Sequence, residues 1–205
     1  MTPVKYSTVF LPLILITQLV YGQNSDWKQE ESGGVSVKSK FESVDGKTTA
    51  YYIATKSAPI SIQAAEKFLR NAANYKLFMA NTEESESIEI RSQNEWLMYL
   101  YFDAPWPMPN SDCVQKVEVL EADDTSLAVR AESVQHDFRK HDVQRMQFLR
   151  MKYSFRQLSN NQIEITIDAG FTPTTEAPEW MLKAWFPSGP EAIMNNLIKH
   201  ISEYK

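Results

Sequence analysis

Cysteine occurs once in the 205 residues, at Cys113, so the chain can close no internal disulfide and offers no cysteine-rich zinc site. Glycine is almost as scarce, at six residues. That excludes collagen-like and low-complexity chains, and it leaves neither a phosphate-cradling loop nor a dinucleotide fingerprint. An excess of positive charge is also missing: 21 Lys and Arg face 26 Asp and Glu, for a net charge of −5. Phosphate backbones call for clustered cations, so nucleic acid is not expected as a partner. No internal repeat is visible. What is present is a globular composition, 43% hydrophobic and 12% aromatic, too apolar for a disordered chain. At this length one domain is expected, with roughly 70% of its unfolded surface buried and no need of a disulfide or metal staple.

One continuous apolar run exists, residues 9–20 (VFLPLILITQLV). Lys5 is the only charged residue before Asp26, and Val20 and Gly22 stand at −3 and −1 of a cut after residue 22. That order of charge, apolar run and short residues predicts a secretory signal peptide over 1–22. An uncleaved membrane anchor is the alternative, but a spanning helix needs about 20 apolar residues and Pro12 and Gln18 interrupt this run. Gln23, not Cys, follows the cut, which excludes lipoprotein anchoring there. Residues 23–205 are therefore expected as an exported domain, periplasmic or secreted. The absence of an Asn-x-Ser/Thr sequon fits a periplasm at least as well as a glycosylating pathway.

The exported part reads as strands, helix, strands and a final helix. Asp45-Gly46 is a hairpin signal inside residues 34–56, and Pro59 and Ser61 open a helical pattern carried by Ile62, Ala65, Phe68 and Leu69. Strands are predicted over residues 87–92, 95–103, 113–121, 126–134, 147–157 and 162–171, several alternating cleanly, as in Met151/Tyr153/Phe155 and Ile163/Ile165/Ile167. Asp123-Asp124 and Asn160-Asn161 mark antiparallel turns. From residue 176 to 204 the pattern is helical, divided by Pro187, Gly189 and Pro190 into a short helix, a kink and a longer helix. An antiparallel sheet of about seven strands with one wet face must hide the other. The predicted fold is α+β, a curved sheet wrapped around the long C-terminal helix and enclosing an apolar cavity.

Two segments carry a family resemblance. Asp103-Ala104-Pro105-Trp106-Pro107, with Asp112-Cys113-Val114 opening the next strand, resembles the central segment of START domains, the steroidogenic-acute-regulatory-related lipid-transfer family. Ala177-Pro178-Glu179-Trp180-Met181-Leu182 resembles the opening of that family's last helix. The order of elements agrees over most of residues 27–205; Ser111, where many members carry Arg, and residues 142–146 depart from the pattern. The resemblance implies a helix-grip fold around an apolar tunnel, with a loop and the last helix as its lid. In sterol-binding members an inward carboxylate and an inward Arg sit on adjacent strands, and alignment on Asp112 puts Met98 and Val117 there. Both stand on faces that alternation marks as inward, and both are apolar, so the cavity should be uniformly greasy.

Chemistry is thin by comparison. His136-Asp137 and His141-Asp142 are five residues apart, which matches neither helical nor strand ligand spacing, and Arg139 and Lys140 would repel a cation. No metal site, cofactor or catalytic residue is assigned. Strand parity and helical spacing instead place Met98, Leu100, Val117, Val129, Met151, Tyr153 and Ile165 on the concave wall, facing Trp180, Met181, Ala184 and Trp185. The proline-rich loop of residues 103–112 displays Trp106 and Met108, expected to gate the tunnel mouth and touch a membrane transiently during exchange. The reading is a non-enzymatic, exported carrier of a lipid or other hydrophobic small molecule. Two alternatives stay open: a START-superfamily ring cyclase or dehydratase working through Tyr153 or an inward acid, and an interaction module with a collapsed pocket.

Overall fold

The computed structural model describes residues 26–44, 46–159 and 162–204 of the chain. The expected signal peptide, and the turn residues Asp45, Asn160 and Asn161, lie outside them. Ten strands form one sheet. In chain order they are β1 (Lys28–Ser32), β2 (Val35–Val44), β3 (Lys47–Ala58), β4 (Thr82–Ser92), β5 (Glu95–Phe102), β6 (Ser111–Ala122), β7 (Ser126–Ser133), β8 (Gln144–Arg145), β9 (Leu149–Ser159) and β10 (Gln162–Phe171). The spatial order is β1-β2-β3-β10-β9-β7-β6-β5-β4, antiparallel throughout, with β8 added in parallel beside the start of β6. Between β3 and β4 lie α1 (Ile62–Arg70) and a 3₁₀ helix (Ala72–Leu77); α2 (Glu179–Ala184) and α3 (Ser188–Glu203) close the chain.

Local chemistry accounts for these elements. Gly46, at φ +77°, supplies the left-handed residue of the β2–β3 hairpin. Ser61 caps α1 by accepting the Ala64 amide at 3.1 Å, which satisfies one of the unpaired donors of the first turn. Along β9, Leu149, Met151, Tyr153 and Phe155 point inward; along β10, Ile163, Ile165, Ile167 and Ala169 do the same. The inner face is covered by α3, through Ile193, Met194, Leu197 and Ile201, and by α1 and the 3₁₀ helix, through Phe68, Leu69 and Tyr75. The curved sheet gripping the long last helix is as expected.

Two expectations need correction. The sheet has ten strands rather than about seven. Part of the shortfall is β1, whose sequence KQEES has no apolar residue to alternate; it is held through its backbone ladder to β2. Another part is β8, only two residues long. The second correction concerns the outer face, which is not uniformly wet. Leu97, Tyr99 and Val114 form a second small core there, covered by Val134 and Phe138 of the segment after β7. That segment, expected as a solvated charged loop, is pinned by a buried ion pair. Arg145 Nε donates to Asp112 Oδ1 at 2.9 Å and Nη2 to Oδ2 at 2.7 Å, and the same guanidinium donates to the carbonyls of His136 and Phe138. The bidentate pairing plus two carbonyl bonds satisfies a charge that burial alone would expel.

Candidate functional site

A cavity of about 300 Å³ opens at the end of the sheet where β5 and β10 finish and β6 and β9 begin. The sheet contributes Tyr52, Phe102, Ser111, Leu149, Met151, Ala169 and Phe171 to its wall. Met181, Leu182 and Trp185 of the α2 segment and Ile193 of α3 face them, and the rim is completed by residues of the 79–81 connection, the proline loop and Pro173. Five of the chain's eight methionines, Met79, Met108, Met146, Met151 and Met181, line this space. Unbranched, polarizable side chains fill irregular gaps and repack at low cost, so the wall can adapt to what enters. Among the described residues lining it, none carries a carboxylate, an imidazole, an ammonium, a guanidinium or a thiol.

Several fixed contacts hold the wall. Trp185, immediately after α2, packs edge-on against Tyr52 and Phe171, and its indole lies where any side chain at Gly189 would collide, 1.8 Å from an added Cβ. Glycine at 189 is what lets the indole lie against the first turn of α3. Met146 is tied to β6 by its amide, which donates to the Asp112 carbonyl at 2.8 Å, beside the buried ion pair. The proline loop is a braced turn: the Met108 amide donates to the Pro105 carbonyl at 3.0 Å, and Asn110 accepts from the Ala104 amide while donating to the Tyr101 hydroxyl.

Of the residues expected to line the pocket, Met151, Met181 and Trp185 do so, and Met108 joins them from the loop. Met98, Leu100, Val117, Val129, Tyr153 and Ile165 face inward but belong to solid core further along the strands, beneath α1, the 3₁₀ helix and α3. Parity identified their face, not their depth. Trp180 and Ala184 are misassigned: both are exposed, Trp180 to 68%, because α2 turns Met181, Leu182 and Trp185 toward the cavity instead. Trp106 is 92% exposed beside the lining residues Pro105 and Met108. Sequence reasoning missed Tyr52, Phe102, Met146 and Leu182 among others; Phe102 was recoverable as the next inward position after Met98 and Leu100. Ser111 is buried in the wall, so the residue standing where the resemblance expects Arg keeps a cation out of it.

The two histidines considered for chemistry, and the one cysteine, lie outside the cavity wall. Burial pushes the Cys113 thiol up to about 12, which keeps it protonated and unreactive. His136 Nδ1 accepts the Phe138 amide, and His141 stacks on Tyr101 at 4.0 Å while its Nε2 meets Glu84 at 3.0 Å. Glu84 is held low first by its bond to Lys140 and then by His141. No cluster of metal-ligating side chains occurs among the described residues.

Solved structures share this architecture. A STAR-related lipid transfer protein from Xanthomonas axonopodis superposes with a TM-score of 0.73 at 19% identity, over 87% of this chain and 99% of that one. Human STARD10 gives 0.72 at 20% identity, over 87% and 74%. The fold is that of the START domains. More distantly, the Zhui aromatase/cyclase from Streptomyces sp. R1128 gives 0.53 at 12% identity, over 75% of this chain and 94% of that one. At these identities the likeness concerns the START fold alone, a scaffold that serves both carriers and enzymes. No family model and no curated protein matches the sequence.

Proposed function

We propose that this START-fold protein is an exported carrier that binds a lipid or other hydrophobic small molecule in the cavity and exchanges it at a membrane surface through the loop bearing Trp106 and Met108. The observation that carries the reading is the wall itself: apolar, rich in methionine, and without an acid or base to act on what it holds. Cyclase or dehydratase chemistry requires a proton donor and acceptor at the substrate. Tyr153, the candidate for that role, is sealed in the core with its hydroxyl on the Met151 sulfur, and burial raises its phenol far above neutral. Export rests on the signal-peptide pattern of residues 1–22.

The mouth supports the exchange step. Met108 lines the cavity, while Trp106, two residues away, and Trp180, next to the lining residue Met181, are both exposed. Indoles favour the boundary between headgroups and hydrocarbon, so two of them flanking an apolar opening suit a membrane surface. Transfer of a fluorescent lipid between vesicles tests this with Trp106→Ala. Because Trp106 is solvent-exposed, thermal stability should hold within about 0.5 kcal/mol while transfer slows severalfold. Unchanged transfer would remove the gate from the reading. Native mass spectrometry of the purified protein that finds no bound apolar molecule, with no transfer by the wild type, would remove the carrier.

A further inference from the structure

Tyr52 stands in the cavity wall, and deeper in the core Tyr75 and Tyr153 pack ring to ring; among the described residues none of the three hydroxyls has an oxygen or nitrogen partner. Tyr52 of β3 is 2% exposed and lines the cavity; among the described residues nothing hydrogen-bonds its hydroxyl. Its ring is fixed by edge contacts with Trp185 and Phe186, at centroid distances of 6.0 and 5.9 Å. Tyr153 packs against Tyr75 at 6.1 Å and turns its hydroxyl to the sulfur of Met151, itself a wall residue, at 3.1 Å. Thioether sulfur is a weak acceptor. The Tyr75 hydroxyl is buried with no partner among the described residues. A phenol without an oxygen or nitrogen partner costs stability that phenylalanine at the same position would not.

From the phenol that Tyr52 brings to this wall we infer that Tyr52 is the polar anchor of the cavity, and that the ligand is an uncharged, largely apolar molecule carrying a hydrogen-bond-accepting oxygen: an alcohol, a ketone or an ester. The inference rests on the carrier reading and narrows its ligand. Burial raises the phenols of Tyr52 and Tyr153, so at neutral pH both remain protonated donors. A neutral donor in a wall without cations suits a carbonyl or hydroxyl oxygen, whereas a phosphate or carboxylate would arrive without a counter-charge. Size agrees. About 300 Å³ is at the lower end of ligand-pocket volumes, which favours a compact molecule over a two-chain phospholipid. The other buried hydroxyl in the wall, Ser111, begins β6 in the Phe102–Met146 part of the lining rather than among the tyrosines.

A matched probe pair separates this inference from the reading beneath it. 2-Ethylnaphthalene and 2-acetylnaphthalene have nearly one shape and differ by a carbonyl oxygen. Both should bind the wild type. Tyr52→Phe should weaken the ketone about fivefold to tenfold, the worth of one neutral hydrogen bond, and change the hydrocarbon less than twofold. The melting temperature of the ligand-free variant should stay level or rise, because no protein partner is lost; a purely structural hydroxyl would lower it. If the hydrocarbon binds but the ketone's affinity ignores Tyr52→Phe, or falls instead with Ser111→Ala, the anchor is wrong and the carrier stands. If the folded wild type binds neither probe, the carrier reading and this inference fall together.

Discussion

Filling the cavity should make the protein more stable and less useful. Ala169 of β10 is 1% exposed and lines the void, between Tyr52 on β3 and Met151 on β9, its partners in the ladder and both wall residues. Ala169→Leu adds three carbons directed into empty space. At about 0.8 kcal/mol per buried methylene, the gain is about 2.4 kcal/mol. For a domain of this size that corresponds to a melting temperature about 5–10 °C higher. A ligand that used the same space loses an equal amount of contact, about 60-fold in affinity. Thermal denaturation and titration with 2-ethylnaphthalene read the two effects separately. Wild-type stability sacrificed to an empty site is the signature of a functional cavity. A variant that melts lower, by the 1–3 kcal/mol typical of overpacking, would mean the space beside Ala169 is already filled. A variant that melts higher yet binds the probe unchanged would mean the ligand sits elsewhere.

Two further outcomes follow from the charges. Arg145→Ala leaves Asp112 buried without its partner and should cost about 3–5 kcal/mol, whereas the Asp112→Leu, Arg145→Met pair should recover much of the loss; chemical denaturation reads both, and a near-neutral single variant would refute the buried bridge. At the β6–β7 turn, Asp123 accepts the Thr125 and Ser126 amides and both their hydroxyls, and these bonds, the Thr125 amide foremost, lower its carboxyl to about 2. A lowered carboxyl adds stability above its unfolded value and loses it as pH falls through the folded one. Asp123→Asn should therefore melt below the wild type at pH 7, with the gap closing between about pH 4 and pH 2; a gap that persists at pH 2 would show that the charge is not what the turn uses.

How far the sequence carried this structure depends on which physical signal each element used. Alternation exposed β9 and β10 because both pack one face on a core, and the inward sets found there are the inward sets observed. β1 carried no such signal, since its residues contribute backbone and little else. The face of α2 was legible only to within one residue. Trp180, Met181 and Leu182 are three consecutive apolar side chains on a six-residue helix, and such a short helix shows no stripe that repeats. Choosing Trp180 and Ala184 over Leu182 is a rotation by a single position. The candidate site suffered more than the fold because a cavity is a property of what fails to reach a place. Val117 and Phe102 obey the same parity on adjacent strands, yet one is core and the other wall, a distinction made by the helices above them. The Asp112–Arg145 pair was invisible for a related reason: 33 residues separate two charges whose contact only the folded loop creates.

That difference in cover also explains why the void lies at one end. β9, with 11 residues, spans about 36 Å at 3.3 Å each, while the 16 residues of α3 span about 24 Å at 1.5 Å each. α3 lies on β2 and β3, and α1 on β7 and β9, so these helices close part of the concave face and face the cavity at the strand ends near Phe102, Ser111 and Phe171 only through Ile193. What covers those ends is slight: the six residues of α2, with Leu182 its one buried side chain and no side-chain cap at its start, and a loop whose Pro105, Pro107 and Pro109 cannot extend a ladder. Methionines from five separate segments occupy the boundary between solid core and opening. Segments with so few buried contacts are the first to move, so if the carrier reading holds, opening is expected in the part of the fold least able to pack a core.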